Sequence, residues 1–434
     1  MPEKTEITGK KKERAVLAGL SAASMEPSER SNEVSMEELS ALVETAGGET
    51  AAMLIQQRPA PDPRSFIGDG KVRELREIIE RNDCDLAVFD NELSPSQMRV
   101  LSEELGVKVL DRSGLILDIF AQRARTREGQ LQVELAQYKY LLPRLTGMWS
   151  HLVRQTASGG SSPIGTRGPG ETQLESDRRH IRRKIQKLEE ELADVRRVRG
   201  TQRRRRETNA MPMVCLVGYT NAGKSTLLNA LTGSDVYVQD QLFATLDAVS
   251  RRMETAEKTP YLLTDTVGFI RKLPHTLISA VRSTLDEAAL ADVLVIVSDG
   301  SSPEMMQQHD TVEQVLEELG ATEQKRIEVV NKRDLRDPEP NEIPGAVLIS
   351  AKTGEGLEDL KAAIAEALQE SYTPVSFRIP FSRYGILNEL REAGRVMAEE
   401  HTAEGTEVTV MIAKEDTERL VRKYGPEILG DRDQ

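Results

Sequence analysis

The sequence predicts an α/β protein: two α/β domains separated by a long helical hairpin, with a small α+β domain at the C-terminal end. Three observations carry this reading. Short apolar runs alternate with helix-period segments over residues 14–110 and again over 214–349, the pattern of strands joined by crossover helices. Between these blocks lies an arginine-rich segment, residues 174–199, whose apolar residues Leu174, Ile181, Leu188 and Val195 recur every seven positions. After residue 371 the pattern changes to a brief strand, helix, strand, helix series. The expected divisions are an N-terminal α/β domain at 1–112, the hairpin with its basic linker at 113–210, a second α/β domain at 211–370 with a mixed, mostly parallel sheet, and the α+β appendage at 371–434.

In the first block, residues 1–12 are polar and read as a frayed terminus. Residues 14–20, 50–56, 85–89 and 107–110 read as strands, and 35–45, 71–82 and 94–105 as helices. Gly68 and Gly70, within residues 65–71, form a glycine turn opening a helix. That turn is either structural or a helix-terminal anion site that could take a second nucleotide, ATP. Residues 114–142 are helical in composition, with Leu131, Leu135, Tyr138 and Leu142 on one stripe and Pro143 as the expected stop. Residues 155–171, with five glycines and two prolines, read as a loop at the hairpin tip. The helix at 174–199 should pair with the one before it. In the second block, strands are expected at 214–217, 260–263, 293–297, 326–330 and 346–349. In the last part, an apolar opening at 375–381, a helix at 386–399, a strand at 407–412 and a final helix are expected.

Composition narrows the function class. The net charge of −13 conceals an asymmetry: residues 144–206 hold 16 Lys/Arg and 7 Asp/Glu, a local excess of +9, which leaves −22 for the rest. A basic middle on an acidic protein suggests a polyanion contact; a solvated charged helix is the alternative. No apolar run reaches 18 residues and the first residues lack an apolar signal core, so neither a membrane span nor a secretion signal is expected. Two cysteines, Cys84 and Cys215, exclude a disulfide framework and read as buried apolar residues. A soluble cytoplasmic protein is expected.

The chemistry is concentrated in the second block. Gly218, Tyr219, Thr220, Asn221, Ala222, Gly223, Lys224, Ser225 and Thr226 follow an apolar strand and open a helix, and they spell a complete Walker A loop. Its backbone amides suit α- and β-phosphates, Lys224 the β- and γ-phosphates, and the Ser225 hydroxyl Mg²⁺. Asp265, Thr266, Val267 and Gly268 follow the next strand; Asp265 suits Mg²⁺ and the Gly268 amide a γ-phosphate. Between them, Phe243, Ala244, Thr245, Leu246 and Asp247 form a candidate switch whose Thr245 hydroxyl could join Ser225 and Asp265 as a metal ligand. Asn331, Lys332 and Asp334, then Ser350, Ala351 and Lys352, each follow a strand. The Asp334 carboxylate can accept from guanine N1–H and its exocyclic amine, donors that adenine lacks there. GTP is therefore the expected nucleotide, with Lys224, Thr245 and Gly268 closest to the chemistry. Asn221 either supports a potassium ion beside the phosphates or stabilises the loop. Phe269 stands where many GTPases carry a water-orienting glutamine, so turnover should depend on a partner or an ordered cation.

Several further stretches give these motifs a family context. Residues 90–97, Asp111 with Arg112, 131–137, 142–145, 168–179 and 217–226 together resemble HflX-type GTPases, ribosome-associated P-loop proteins related to Obg-like GTPases. The resemblance spans roughly residues 13–370. It implies an N-terminal α/β domain with a helical hairpin, a GTPase domain and a small C-terminal domain. It also implies binding to the large ribosomal subunit and splitting of stalled or idle ribosomes under stress. On that reading Arg154, Arg167, Arg178, Arg179, Arg182 and Arg183 are the candidate RNA contacts, and a monomer is expected. Two other classes remain open at this stage: a GTP-gated switch that binds another protein, and an RNA-remodelling nucleotidase using the Gly68 turn.

Overall fold

The computed structural model describes residues 12–156, 169–207, 211–233, 242–256, 258–272, 285, 287–322, 324–336, 343–402 and 405–430. The chain divides into two units: Met1–Glu190 with Gln241–Phe243 and Arg271–Val281, and Glu191–Asp240 with Ala244–Ile270 and Arg282–Gln434.

In the first unit, β1 (Arg14–Ala22), β2 (Glu49–Arg58), β3 (Leu86–Phe89) and β4 (Lys108–Asp111) form a parallel sheet in the order β2-β1-β3-β4. Interior strands of such a sheet are covered on both faces, which is why β1 and β3 read as unbroken apolar runs. Helices α1 (Glu33–Thr45), α2 (Asp69–Asn82), α3 (Pro95–Leu105) and α4 (Arg112–Arg123) start on local signals. Asn32 and Ser94 close capping boxes with Ser35 and Gln97, and Asp111 caps α4 through the Gly114 amide. The core gathers Val16, Leu20, Leu75, Phe89 and Leu101.

The hairpin departs from expectation at its ends. Helix α5 (Arg127–Thr156) runs through Pro143 rather than stopping there. An interior proline costs a helix about 3 kcal/mol. The next residue supplies a compensating anchor: Arg144 donates to Asp111 Oδ2 and to the Leu93 carbonyl, both at 3.1 Å. Helix α6 (Pro169–Glu207) starts earlier and ends later than the heptads suggest. Pro169 occupies the first helical position, where a missing N–H is no loss. Residues 155–156 and 169–171 of the expected tip loop are thus helical, while 157–168 lie outside the described residues, as do 1–11. Lys139–Glu189 (2.7 Å) and Lys184–Glu134 (3.4 Å) tie α5 to α6.

In the second unit, β5 (Met213–Gly218), β6 (Val249–Glu254), β7 (Pro260–Asp265), β8 (Val293–Asp299), β9 (Lys325–Asn331) and β10 (Val347–Leu348) form a sheet ordered β10-β9-β8-β5-β7-β6. All neighbours are parallel except β6 with β7. β6 escaped the sequence reading because it is a largely exposed edge of polar residues. Helices α7 (Lys224–Thr232), α8 (Met305–Glu318) and α9 (Leu357–Ser371) complete this part. Beyond it, β11 (Tyr372–Pro380), α10 (Gly385–Ala393), β12 (Gly394–His401), β13 (Gly405–Ala413) and α11 (Lys414–Tyr424) build an antiparallel sheet ordered β11-β13-β12 with its own core around Phe377, Leu387 and Val410. The expected helix at 386–399 ends at Ala393. Gly394 turns the chain into extended backbone, and a Cβ there would come within 2.5 Å of Val410 Cγ1, so the chain enters the sheet at a glycine. Among the described residues no helix is long and apolar enough to cross a membrane.

Candidate nucleotide-binding site

The site is built on the carboxyl ends of the parallel strands. Strand β5, buried from Val214 onward, ends at Gly218, whose φ is +152° and whose added Cβ would lie 2.2 Å from the Val297 carbonyl. Asn221 (φ 60°) and Gly223 (φ 93°) are left-handed, and α7 begins at Lys224. Left-handed backbone at these positions is the kind of winding by which a phosphate loop forms an anion-binding concavity. Tyr219, Thr220 and Ala222 are buried, Asn221 is exposed, and Thr226 is half-buried.

Lys224 is buried, and its Nζ donates to the Gly218 carbonyl at 2.9 Å and the Tyr219 carbonyl at 2.7 Å. Burial lowers its pKa to about 8, against the opposing pull of Asp265. The sign of the consequence is fixed. Phosphate oxygens favour the charged ammonium, so binding is fully supported well below pH 8 and takes up an increasing fraction of a proton as pH rises through 8. The dissociation constant for GTP should therefore be nearly flat from pH 6 to 7 and rise about fourfold by pH 8.5. Equilibrium titration of a fluorescent guanine nucleotide across that range checks this; a flat profile contradicts it.

Three hard oxygens meet beside the lysine. Asp265, at the end of β7, accepts from Ser225 Oγ at 2.7 Å and Thr245 Oγ1 at 3.0 Å, and those two hydroxyls are 2.8 Å apart. The other carboxylate oxygen, Oδ1, is buried with no hydrogen-bond donor among the described residues. Burial raises the Asp265 pKa, opposed by Lys224 and by donors from Ser225, Thr245 and Thr266. An oxygen set of this kind, with one buried acceptor unsatisfied, fits a Mg²⁺ ion. A second group of potential ligands, His309, Glu313 and Glu328, lies within 4.8 Å. It closes on itself as ion pairs, His309–Glu328 at 3.0 Å and Arg326–Glu313.

The residues after Asp265 are laid against the phosphate loop. Thr266 Oγ1 donates to the Leu216 carbonyl at 2.7 Å, and Val267 is buried. Gly268 admits no side chain: a Cβ would lie 2.8 Å from Thr220 Cα and 3.0 Å from Lys224 Nζ. Phe269 N–H donates to the Gly218 carbonyl at 3.1 Å and its own carbonyl accepts from Thr220 N–H at 2.7 Å. The Phe269 ring is 1% exposed, so it fills core rather than facing solvent. In the first switch, Leu246 is buried and Ala244 and Asp247 are half-buried. Phe243 does not join this cluster; it groups with the N-terminal unit.

The loops expected to read the base are held by their own polar residues. Asn331 Nδ2 donates to the Ala222 carbonyl at 2.8 Å and its Oδ1 accepts from Ala351 N–H at 2.9 Å, joining the phosphate loop to the loop after β10. Asp334 is exposed and accepts from the buried Ser350 hydroxyl at 2.7 Å, which fixes the carboxylate while leaving it open to a ligand. Lys332, left-handed at φ 67°, is held by Asp299 Oδ2 at 2.7 Å; Lys352 is exposed. No motif in the sequence marks Asp299. Its one signal is its place as the sole acid ending the apolar strand β8.

Of the expected RNA contacts, Arg179, Arg182 and Arg183 are exposed on α6, and Arg178 is half-buried. Arg154 belongs to α5, with its side chain outside the described set, and Arg167 lies outside the described residues.

Comparison with known proteins agrees with this geometry. Residues 33–121 match a family model described as the N-terminal part of GTP-binding GTPases, and 123–206 match its middle-region counterpart. Residues 213–332 match a model described as 50S ribosome-binding GTPase. The GTPase HflX of Caldanaerobacter subterraneus subsp. tengcongensis is 46% identical over 409 residues, covering 94% of this chain and 93% of its own. That of Escherichia coli is 45% identical over 352 residues, covering 80% and 82%. A GTP-binding protein of Sulfolobus solfataricus, solved with GDP, aligns over 82% of this chain and 98% of its own at 23% identity, with a TM-score of 0.42. Identity at this level over almost the whole length, on top of a complete set of guanine-nucleotide motifs, places the chain in the HflX family of GTPases, as an enzyme that binds and hydrolyses GTP.

Proposed function

We propose that this GTPase acts in the cytoplasm as a monomer that binds the large ribosomal subunit and couples GTP to the splitting of stalled or idle ribosomes under stress. The observation that carries the proposal is the exposed arginine face of α6, Arg179, Arg182 and Arg183, on the helix that follows the glycine-rich segment. Ribosomal RNA is a dense polyanion, and guanidinium groups bind phosphate in fork geometry. The family model matched by residues 213–332 carries a ribosome-binding description, which supports the same reading.

In the nucleotide site, the proposed assignments follow the geometry. Lys224 and the amides of 218–226 hold the phosphates. Ser225, Thr245 and Asp265 hold Mg²⁺, which when bound neutralises charge on the β- and γ-phosphate oxygens. The Gly268 amide senses the γ-phosphate. Asp334 reads guanine, with Asn331, Lys332, Ser350, Ala351 and Lys352 shaping its loop. The buried Phe269 ring excludes water but cannot polarise it, so a partner or a potassium ion near Asn221 completes catalysis.

The test is the GTPase rate with and without purified large subunits, in potassium and in sodium. Large subunits are expected to raise the rate by tenfold or more, with potassium exceeding sodium. Fast, partner-free turnover in sodium contradicts the proposal. Deleting residues 158–169 is expected to abolish splitting while sparing GTP binding; splitting that survives the deletion excludes the hairpin tip as the working part.

A further inference from the structure

Two polar atoms at the nucleotide site are buried with no hydrogen-bond partner among the described residues: Asp265 Oδ1 and the Thr220 hydroxyl. The oxygen set that fits Mg²⁺ accounts for the first and leaves the second unexplained. Thr220 is 6% exposed. Its backbone N–H donates to the Phe269 carbonyl at 2.7 Å. That bond sets Thr220 directly against the position where many GTPases carry a water-orienting glutamine. The side chain is also confined. A Cβ built on Gly268 would lie 2.8 Å from Thr220 Cα, 2.9 Å from Thr220 Cγ2 and 3.0 Å from Lys224 Nζ, so the methyl group and the lysine ammonium border the same spot beside that glycine. With the methyl lodged there, a β-branched side chain has little freedom about χ1, and the hydroxyl is held in one direction.

A buried hydroxyl without a partner lowers the stability of a folded chain, whereas valine, of the same shape, does not. The use of this hydroxyl therefore lies with a bound molecule rather than with the fold. Its chemistry is what Phe269 lacks. A glutamine amide orients water by accepting from it through the carbonyl oxygen while its N–H donates to phosphate. A threonine hydroxyl also accepts and donates at once. A phenylalanine ring does neither, and the Phe269 ring is turned into the core.

We propose that Thr220 is a catalytic residue: its hydroxyl donates to a γ-phosphate oxygen and accepts from the attacking water, in place of the missing glutamine. In the step itself the water oxygen bonds to the γ-phosphorus. The bond to the β–γ bridging oxygen breaks with its electron pair left on GDP, and one proton of the water ends on the released phosphate. Thr220 gains and loses no proton; it orients the water before attack. A partner or a cation still supplies the positive charge that a neutral hydroxyl cannot. The inference rests on the reading that Lys224 and Gly268 face the γ-phosphate, and it is independent of the ribosomal reading.

Single-turnover GTP hydrolysis by the full chain, with Mg²⁺ and potassium and without ribosomal subunits, tests it in Thr220→Val and Thr220→Ser. The valine variant is expected to hydrolyse about tenfold to a hundredfold more slowly, while its dissociation constants for GTP and GDP stay within about threefold of wild type. The serine variant, which keeps the hydroxyl, should retain at least about a third of the wild-type rate. Thermal denaturation without nucleotide should give the valine variant an equal or higher midpoint, because it removes an unsatisfied buried group. A valine variant as fast as wild type overturns the proposal, as does a serine variant as slow as valine. So does a valine variant that melts at lower temperature or loses GDP and GTP affinity together, the signature of a hydroxyl that serves the fold. Failure of the underlying reading shows elsewhere, as GTP affinity retained in Lys224→Met.

Discussion

Asp334→Asn is expected to weaken GTP binding by about two to three orders of magnitude and to create affinity for xanthosine triphosphate. The carboxylate is exposed, and its geometry is set by the Ser350 hydroxyl at 2.7 Å. Guanine presents two N–H donors to it, and hydrogen bonds to a charged acceptor are the strong kind. Asparagine keeps one acceptor but turns an NH₂ group toward guanine's own amine, donor against donor. Xanthine carries a carbonyl at that position, which the asparagine NH₂ can satisfy. The Ser350 contact survives with the amide oxygen, so stability should be unchanged. Competition binding with GTP, XTP and ATP decides the matter: GTP affinity within threefold of wild type would remove Asp334 from base recognition.

Lys224→Met should raise the GTP dissociation constant by at least about a hundredfold, because two or three charge-assisted contacts to phosphate vanish together. The effect on the fold should have the opposite sign. Lys224 is buried, its ammonium donates to two neutral carbonyls among the described residues, and burial lowers its pKa to about 8 against the pull of Asp265. A buried charge so placed is a liability to the nucleotide-free chain, and methionine of similar shape removes it. Thermal denaturation without nucleotide should therefore show an equal or higher midpoint for the variant, while added GTP stabilises only the wild type. A variant that unfolds at lower temperature without nucleotide would show that the lysine is structural.

The legible parts of this protein were those whose signals are local. β1, β3 and β5 announce themselves as apolar runs, and the Walker loop by glycines that geometry cannot replace: at Gly218 an added Cβ meets a carbonyl at 2.2 Å. Asp265, Asn331 and Asp334 could be found because each follows a strand, and strand ends are where parallel sheets place their chemistry. What escaped was set by distant partners. Pro143 lies inside a helix because Arg144 is anchored on Asp111 and Leu93, residues far away in sequence. β6 is an edge whose polar residues carry no periodic signal, and β12 begins at a glycine that also reads as a helix stop. Phe243 and Lys272 were unreadable for the same reason. Neither their left-handed backbone nor the pairing of Lys272 with an aspartate 182 positions away leaves a trace in neighbouring residues. The family resemblance covered the segment containing Asp90 without saying what that aspartate holds.

The two cysteines have a consequence beyond packing. Cys84 belongs to the N-terminal unit and Cys215 to strand β5 of the GTPase unit; both are buried, and burial raises the pKa of each thiol. A thiol in that condition is shielded from alkylation and oxidation until the backbone around it opens. The chain thus carries one silent chemical clock in each unit. Their rates of modification measure how often each part of the molecule breathes, separately and without any added label.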